Sequence, residues 1–324
     1  MLQLHIGNVL LTALLPFFAV ASTSAVTPDP KLLSLVPPIA QIVAGMNAPS
    51  VSGQPDSFLL ITYNNTVDLR DFFALSGVDD LRVIQQIMMV AAEDRTSSLA
   101  EHSLLASGHF DQRRIFKAAA QNGATFNDFK GIRVLVVPPF GRDHATFREV
   151  RWLAVIDSSI ALFGTIASVQ RELDRHLAHS PADPSLMGKL ARLRRDDDTW
   201  CVLTANTQSA EIRNALWALD PKLADVIESG DAFQFGVRYG RHIEFEYEVN
   251  TASSADAQTL SNSLAQSLGG PQGKGSPLLP APDLAKAGGA EHGVVKVSRA
   301  QYDAWLAAVR ARNRARSVAD LSRR

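Results

Sequence analysis

Three glutamates at every second position of one segment form the most regular arrangement of ionisable residues in the chain. Glu244, Glu246 and Glu248 alternate with large apolar residues over 243–249. Strict alternation is typical of a β-strand with one polar and one apolar face. A row of carboxylates at this spacing is a candidate surface for a basic partner or a weak cation site, and the ordinary alternative is a solvated face. We therefore take the three glutamates as a candidate partner surface and expect them to be exposed.

A second candidate surface lies near the C-terminal end, where basic residues recur. Between 310 and 324 the chain has six arginines and one acidic residue. An apolar stripe at helical spacing precedes them, and we expect a docked helix that continues into a basic tail over 299–324. The tail either frays in solvent or contacts anionic lipid or another envelope component. The stripe consists of Tyr302, Trp305, Leu306 and Val309, and the candidate contact residues are Arg310, Arg312, Arg314 and Arg316.

The chain lacks the short motifs of common catalytic and cofactor sites. No Gly-x-Ser-x-Gly, His-Glu-x-x-His or Gly-x-Gly-x-x-Gly segment occurs. His176 and His179 lie near Asp174 at a spacing that suits metal ligands, but no third ligand motif accompanies them. The lone Cys201 lies in an apolar run and is expected to be a buried, unreactive thiol. We assign no catalytic residue, no metal ligand and no cofactor.

Composition and charge limit the classes of function. The 324 residues are 46% hydrophobic and 20% charged, with a formal net charge of −1. These values are ordinary for a globular protein and argue against a dedicated nucleic-acid binder, which would show a basic face. Because the chain has a single cysteine, no intramolecular disulfide can form and the core alone must hold the fold.

The first 25 residues have the layout of a secretory signal. An apolar run over 9–21 ends in the small-residue triplet Ala19-Val20-Ala21, and a polar segment follows. The run is too short to span a hydrocarbon core of ~30 Å comfortably. No Lys or Arg precedes it, although a signal usually begins with positive charge. We expect cleaved export and a periplasmic or secreted protein, with a retained membrane anchor or a buried cytosolic N-terminus as alternatives.

The remaining chain is expected to fold as two similar α+β units. The first unit covers 31–180, a linker covers 181–198, and the second unit covers 199–298. Each unit follows the order strand, helix, strand, strand, helix, with no residue-level identity between the two. We expect antiparallel sheets that helices cover on one face. The charge run over 194–198 within the linker is expected to be a solvated loop.

Several elements are predicted in detail. Asp111 predicts the N-cap of a helix over 112–121, and apolar periodicity predicts further helices over 166–177, 209–219 and 255–268. The segments on either side of Gly240 predict a β-hairpin. Their apolar sets share a face only if the loop has an odd length, most simply three residues. That register places Tyr239 opposite Ile243 and Phe235 opposite Tyr247.

Three segments of the chain resemble a group of uncharacterised exported bacterial proteins. They are Leu35-Val-Pro-Pro-x-Ala-x-x-Val-Ala-Gly-Met46, Leu105-Ala-Ser-Gly-His-Phe-Asp111 and the hairpin from Asp157 to Gly164. The resemblance covers 31 to about 300. Its motifs are structural and imply no catalytic residue, and we infer no function from the resemblance.

We expect a non-catalytic binding or assembly module of the cell envelope. Its partner is expected to be an envelope protein or a small ligand rather than a nucleic acid, with peripheral membrane contact through the basic tail as an option. One alternative is a carrier of a small hydrophobic ligand, in a cavity lined by Phe233, Phe235, Phe245 and Tyr247. The other is a hydrolase-type enzyme with scattered site residues near His109, His176 or Asp196.

Overall fold

The structure is a computed structural model that describes residues 28–48, 83–93, 100–138, 150–193, 197–204, 230–251, 283–287, 290–304 and 307. The predicted signal segment, the helices predicted over 209–219 and 255–268, and the arginines of the tail lie outside these ranges.

Four helices in the described ranges begin at side-chain caps. They are α1 (Pro30–Leu35), α2 (Gln112–Gln121), α3 (Ile166–Leu177) and α4 (Pro184–Leu190). The caps Asp29, Asp111, Thr165 and Asp183 each accept a hydrogen bond from a backbone N–H of the first turn. The bounds predicted for α2 and α3 are confirmed. A further helical segment occupies 299–304.

The strands form one continuous sheet. In chain order they are β1 (Ala40–Asn47), β2 (Ile84–Glu93), β3 (Ala100–Gly108), β4 (Thr125–Phe129), β5 (Ile132–Val137), β6 (Arg151–Ile156), β7 (Ile160–Thr165), β8 (Thr199–Thr204), β9 (Gly230–Tyr239), β10 (His242–Thr251), β11 (Asp283–Ala287) and β12 (Ala290–Ser298). Among the described residues they make a 12-stranded sheet with the order β11-β12-β10-β9-β8-β1-β2-β3-β7-β6-β5-β4. Each neighbouring pair is antiparallel. The fold is therefore α+β, with the sheet as its dominant element.

Apolar residues pack on both faces of this sheet. The first core joins α2 and Tyr302 to one face, through residues that include Leu104, Ala106, Ile115, Phe116, Val237 and Phe245. The second core joins α1, α3 and α4 to the other face, through residues that include Leu33, Leu105, Val169, Leu173, Leu190 and Trp200. The expectation that helices cover one face is wrong. β6 and β7 are buried along almost their whole length, so both faces of these strands need a cover.

The predicted hairpin register is confirmed. Tyr239 lies opposite Ile243 and Phe235 lies opposite Tyr247. The N–H of Gly240 donates to the carbonyl of His242 at 3.2 Å and closes the turn. In this register the aromatic residues of β9 and β10 share one face, and the three glutamates lie on the other.

None of the described helices combines the length and the apolar character needed to cross a membrane.

Candidate functional site

The three glutamates lie on β10, between β9 and β12. Glu246 is directly opposite Gly236 on β9, and Gly236 is directly opposite Trp200 on β8. Directly opposed residues share a face of an antiparallel sheet. Because Trp200 belongs to the second core, the glutamates lie on that face, beside the region that α4 covers.

Each glutamate contacts at least one basic side chain from a neighbouring element. Glu244 contacts Arg238 on β9 at 2.5 Å and Lys296 on β12 at 3.2 Å. Glu246 contacts His292 on β12 at 2.7 Å, and Glu248 contacts Arg192 beyond α4 at 2.9 Å. We call this set the charged face, and it consists of Glu244, Glu246, Glu248, Arg192, Arg238, His292 and Lys296.

In the charged face the carboxylates are more deeply buried than the basic side chains that contact them. The glutamate side chains are 8–16% exposed, whereas their four partners are 30–64% exposed. The expectation of an exposed acidic row is therefore wrong, because basic side chains of β9, β12 and the segment after α4 cover the carboxylates. What solvent meets is a layer of basic side chains over fixed negative charge.

The electrostatics of Glu244 follow from this arrangement. Burial by itself raises the pKa of the Glu244 carboxyl. The hydrogen bond from Lys296 and the charges of Arg238 and Lys296 outweigh burial, so the pKa lies below its usual value. Glu244 is consequently ionised at neutral pH, as an ion-paired structural or binding group requires.

Two aspartates extend β8 and border the charged face. Both Asp197 and Asp198 are buried. The N–H of Asp198 donates to the carbonyl of Val237 at 2.9 Å, and its carboxylate accepts from the N–H of Tyr239 at 2.6 Å. A Cβ at Gly236 would collide with the Asp197 carboxylate, so the missing side chain leaves the room that this carboxylate fills. The prediction of a solvated loop is wrong for these two residues, because they pair with the sheet.

Buried polar atoms on the same face include Nε1 of Trp200 and Oε1 of Gln234, for which the described residues supply no hydrogen-bond partner. Gln234 lies directly opposite Glu248 on β10 and Val202 on β8.

The other residues singled out by sequence do not assemble into a site. His109 is exposed just after β3, and His176 lies in the last turn of α3. Asp174 forms an ion pair with Lys130 at 2.6 Å, and Asp196 lies outside the described residues. Within the described ranges, no group of three His, Cys, Asp or Glu residues could hold a metal ion.

Cys201 is a core residue. It is buried opposite Ala44 of β1, and burial raises the pKa of its thiol to about 12. A thiol that stays protonated is a poor nucleophile. The prediction that this thiol is buried is confirmed.

The proposed ligand-lining aromatics pack against other residues of the chain. Phe245 lies 5.9 Å from Tyr302 between ring centroids, and both belong to the first core. The Tyr247 ring lies over Gly293, where a Cβ would collide with it. The side chain of Phe233 lies outside the described residues.

Glu172 is the buried ionisable residue that sequence reasoning missed. It lies in the buried stripe of α3 and accepts a hydrogen bond from the Ser103 hydroxyl on β3. Burial raises the pKa of Glu172 to about 8, against smaller lowering effects of Ser103 and Arg171. The signal was its position three residues after Val169 and next to Leu173, on the apolar face of the helix.

Comparison with known proteins gives a distant likeness in fold. No family model matches the chain, and no curated protein matches it. The solved structure described as "Structure of crystal form I of TP0453" aligns with a TM-score of 0.51 and 8% sequence identity. The alignment covers 87% of this chain and 98% of that chain. At this identity the likeness bears on the fold alone.

Proposed function

We propose that the protein is an exported, non-catalytic binding or assembly module of the cell envelope, and that its charged face contacts the partner. The observation that carries the proposal is the layering of that face. Three carboxylates lie beneath the side chains of Arg192, Arg238, Lys296 and His292, all of which reach solvent.

This layering favours recognition over acid–base chemistry. General acid and base groups need environments that separate their pKa values, whereas the Glu244 carboxyl is held ionised by its neighbours. Charged side chains that are already fixed lose less conformational entropy when a partner binds. Complementary charges on the partner would then give specificity and fast association.

A matched pair of lysine variants tests the proposed surface. Lys296 on the charged face and Lys130 at the far end of the sheet both form ion pairs, and their side chains are 64% and 59% exposed. We expect Lys296→Glu to abolish cross-links between the protein and its envelope partners in its own cells. Lys130→Glu should leave the cross-links unchanged.

Quantitative mass spectrometry of the cross-linked products provides the readout, and thermal melting checks that each variant folds. Lys130→Glu breaks an exposed ion pair and should remain folded. Because Lys296→Glu places a second carboxylate directly opposite Glu244, which is 12% exposed, Lys296→Gln is measured beside it as the variant that adds no like charge. Equal cross-linking by Lys296→Glu and Lys130→Glu would contradict the role of the charged face. A wild-type protein that cross-links to no partner would contradict the binding function.

The export part of the proposal rests on the N-terminal sequence. We propose cleavage near residue 22 or 26, which would place the mature protein in the periplasm or outside the cell. The intact mass of the protein purified from its own cells tests this. A mass that includes residues 1–21 would contradict cleavage and favour the retained anchor.

We also propose that the chain contains two structurally similar units that meet at β1 and β8. What supports this is the strand order, which reads β10-β9-β8-β1-β2-β3 through the centre of the sheet. On each side the third strand is followed by the last strand of its unit, β7 or β12. An experimental structure in which β1 to β3 failed to superpose on β8 to β10 would contradict the repeat.

A further inference from the structure

A carboxylic acid is buried where α3 packs on the sheet. Glu172 is 1% exposed and belongs to the buried stripe of α3 with Ser168, Val169 and Leu173. Its Oε1 accepts from the Ser103 hydroxyl. Its Oε2 has no hydrogen-bond partner among the described residues. One oxygen of this buried carboxyl therefore accepts no hydrogen bond from the described residues.

Strands β3 and β7 approach each other closely at Ser103, the residue whose hydroxyl donates to Glu172. Gly164 on β7 lies directly opposite Ser103 on β3. A Cβ at 164 would lie 2.8 Å from the Ser103 Cβ and 2.6 Å from the carbonyl oxygen of His102. Around the carboxyl, Val169 and Leu173 belong to the second core. The Glu172 carboxyl therefore lies beside apolar residues of the interface between α3 and the sheet.

Few charges are available to stabilise an ionised Glu172. α3 packs against α1, β3, β6 and β7. Of the charged groups on these elements, Arg171 acts on Glu172, and Arg175 donates to the Ser34 carbonyl at 2.9 Å instead. The titratable and charged groups are Arg171, Asp174, Arg175 and His176 on α3, Lys31 on α1, Glu101 and His102 on β3, Arg151 on β6, and none on β7.

We propose that α3 is a proton-linked cover of the second core, closed most firmly in acid and opened progressively as the pH rises towards neutrality. Lifting α3 from the sheet would expose Glu172 to water, where the carboxyl loses its proton. Reseating the helix would require the proton to return. Opening of the helix and release of one proton are therefore a single coupled event.

The strength of the coupling between helix opening and proton release follows from the pKa of Glu172 in the closed and open forms. The pKa of Glu172 is about 8 in the seated helix and 4.5 in water. Between these values each pH unit favours the open form by about tenfold. From pH 5 to pH 7 the population of the open form should rise by about a hundredfold. Below pH 4.5 the carboxyl is protonated in both forms and the dependence disappears.

Hydrogen bonds near both ends of α3 hold the helix to neighbouring residues, and opening of the helix would break them. At the N-terminal end the Thr165 hydroxyl accepts from the N–H of Ser168. Near the other end Arg175 binds the carbonyls of Ser34 and Pro181 at 2.9 and 2.5 Å. Because Ser34 belongs to α1, opening of α3 should also release α1.

Amide hydrogen exchange of the full-length protein between pH 5 and pH 7 tests the proposal, with protection factors corrected for intrinsic exchange rates. In the wild type we expect the protection of α3 amides to fall by about a hundredfold across this range. In Glu172→Gln, which keeps the shape but cannot ionise, protection should not change with pH. Asp174→Asn, on the exposed side of the same helix, should behave as the wild type.

Two results would overturn the proposal. One is a pH dependence in Glu172→Gln equal to that of the wild type. The other needs only the wild type and so applies even if the variant does not fold. It is that the α3 amides are as strongly protected from exchange as those of β6 at every pH. That outcome would mean that α3 opens only when the whole protein unfolds.

Discussion

The contact between Gly45 and Trp200 gives the sharpest stability prediction, because it lies where the two halves of the sheet meet. Gly45 on β1 is directly opposite Trp200 on β8. A Cβ at position 45 would lie 2.3 Å from Cζ2 and 2.4 Å from Cε2 of the indole. The ring is buried in the second core, so Gly45→Ala must displace a packed side chain.

The expected cost combines two opposing effects. Overpacking of a close-packed core costs about 1–3 kcal/mol. Alanine in the interior of a strand is favoured over glycine by about 0.5–1 kcal/mol. Gly45→Ala should therefore lower the free energy of unfolding by about 1–2 kcal/mol. Trp200→Leu alone should cost about 2–3 kcal/mol, since complete truncation of a buried Trp costs about 3–5 kcal/mol.

A double-mutant cycle measured by urea unfolding and far-UV circular dichroism checks this reasoning. With Leu at position 200 the clash disappears, so Gly45→Ala should become stabilising by about 0.5–1 kcal/mol. The control is Gly188→Ala in α4, where a Cβ would meet no atom within 4 Å and should stabilise the helix by about 0.5–1 kcal/mol. Additive effects of the two substitutions, or a Gly45→Ala protein as stable as the wild type, would refute the contact.

Three further predictions concern a cap, a pH dependence and the C-terminal helix. Asp111→Ala removes the side chain that accepts from the N–H of Arg114, and thermal melting should show a loss of about 1 kcal/mol, whereas Asp111→Asn should retain most of the stability. The pKa of Glu244 is lowered in the folded protein, so ionised Glu244 stabilises the fold above its unfolded pKa, and this stabilisation is lost as the pH falls through the folded pKa. Glu244→Gln should therefore lose less stability in acid than the wild type. An equal loss in the two proteins would contradict the ion pairs. Tyr302→Ala should cost about 3–5 kcal/mol in urea unfolding, because the ring is buried against Tyr239 at 6.0 Å between centroids, and a neutral effect would mean that the helix does not dock.

Local sequence patterns predicted the elements of the fold well. Asp111 and the apolar stripe of α3 gave the bounds of both helices, because capping and periodicity are local properties. Alternation placed Phe235 opposite Tyr247, because a one-residue slip would put the aromatics on the polar face.

What covers each face could not be predicted from those patterns. Alternation shows that Glu244, Glu246 and Glu248 share a face, but their cations come from β9, β12 and the segment after α4. The pairings of β1 with β8 and of β3 with β7 join residues far apart in the chain and leave no local signal. For the same reason, Asp197 read as part of a solvated charge run, although it packs on Gly236.

The junction of β1 and β8 on which the whole sheet depends can be tested with the chain's own cysteine. Cys201 lies directly opposite Ala44, and the register places Val43 opposite Val202 on the other face. Opposed residues of antiparallel strands are about 4.5–5.5 Å apart between Cα atoms, within the range that a disulfide spans. The measurement is the intact mass, after alkylation under denaturing conditions, of Ala44→Cys and Val43→Cys proteins refolded in a glutathione buffer. We expect an intramolecular disulfide in Ala44→Cys and free thiols in Val43→Cys. Free thiols in Ala44→Cys, or equal cross-linking in both, would contradict the single continuous sheet.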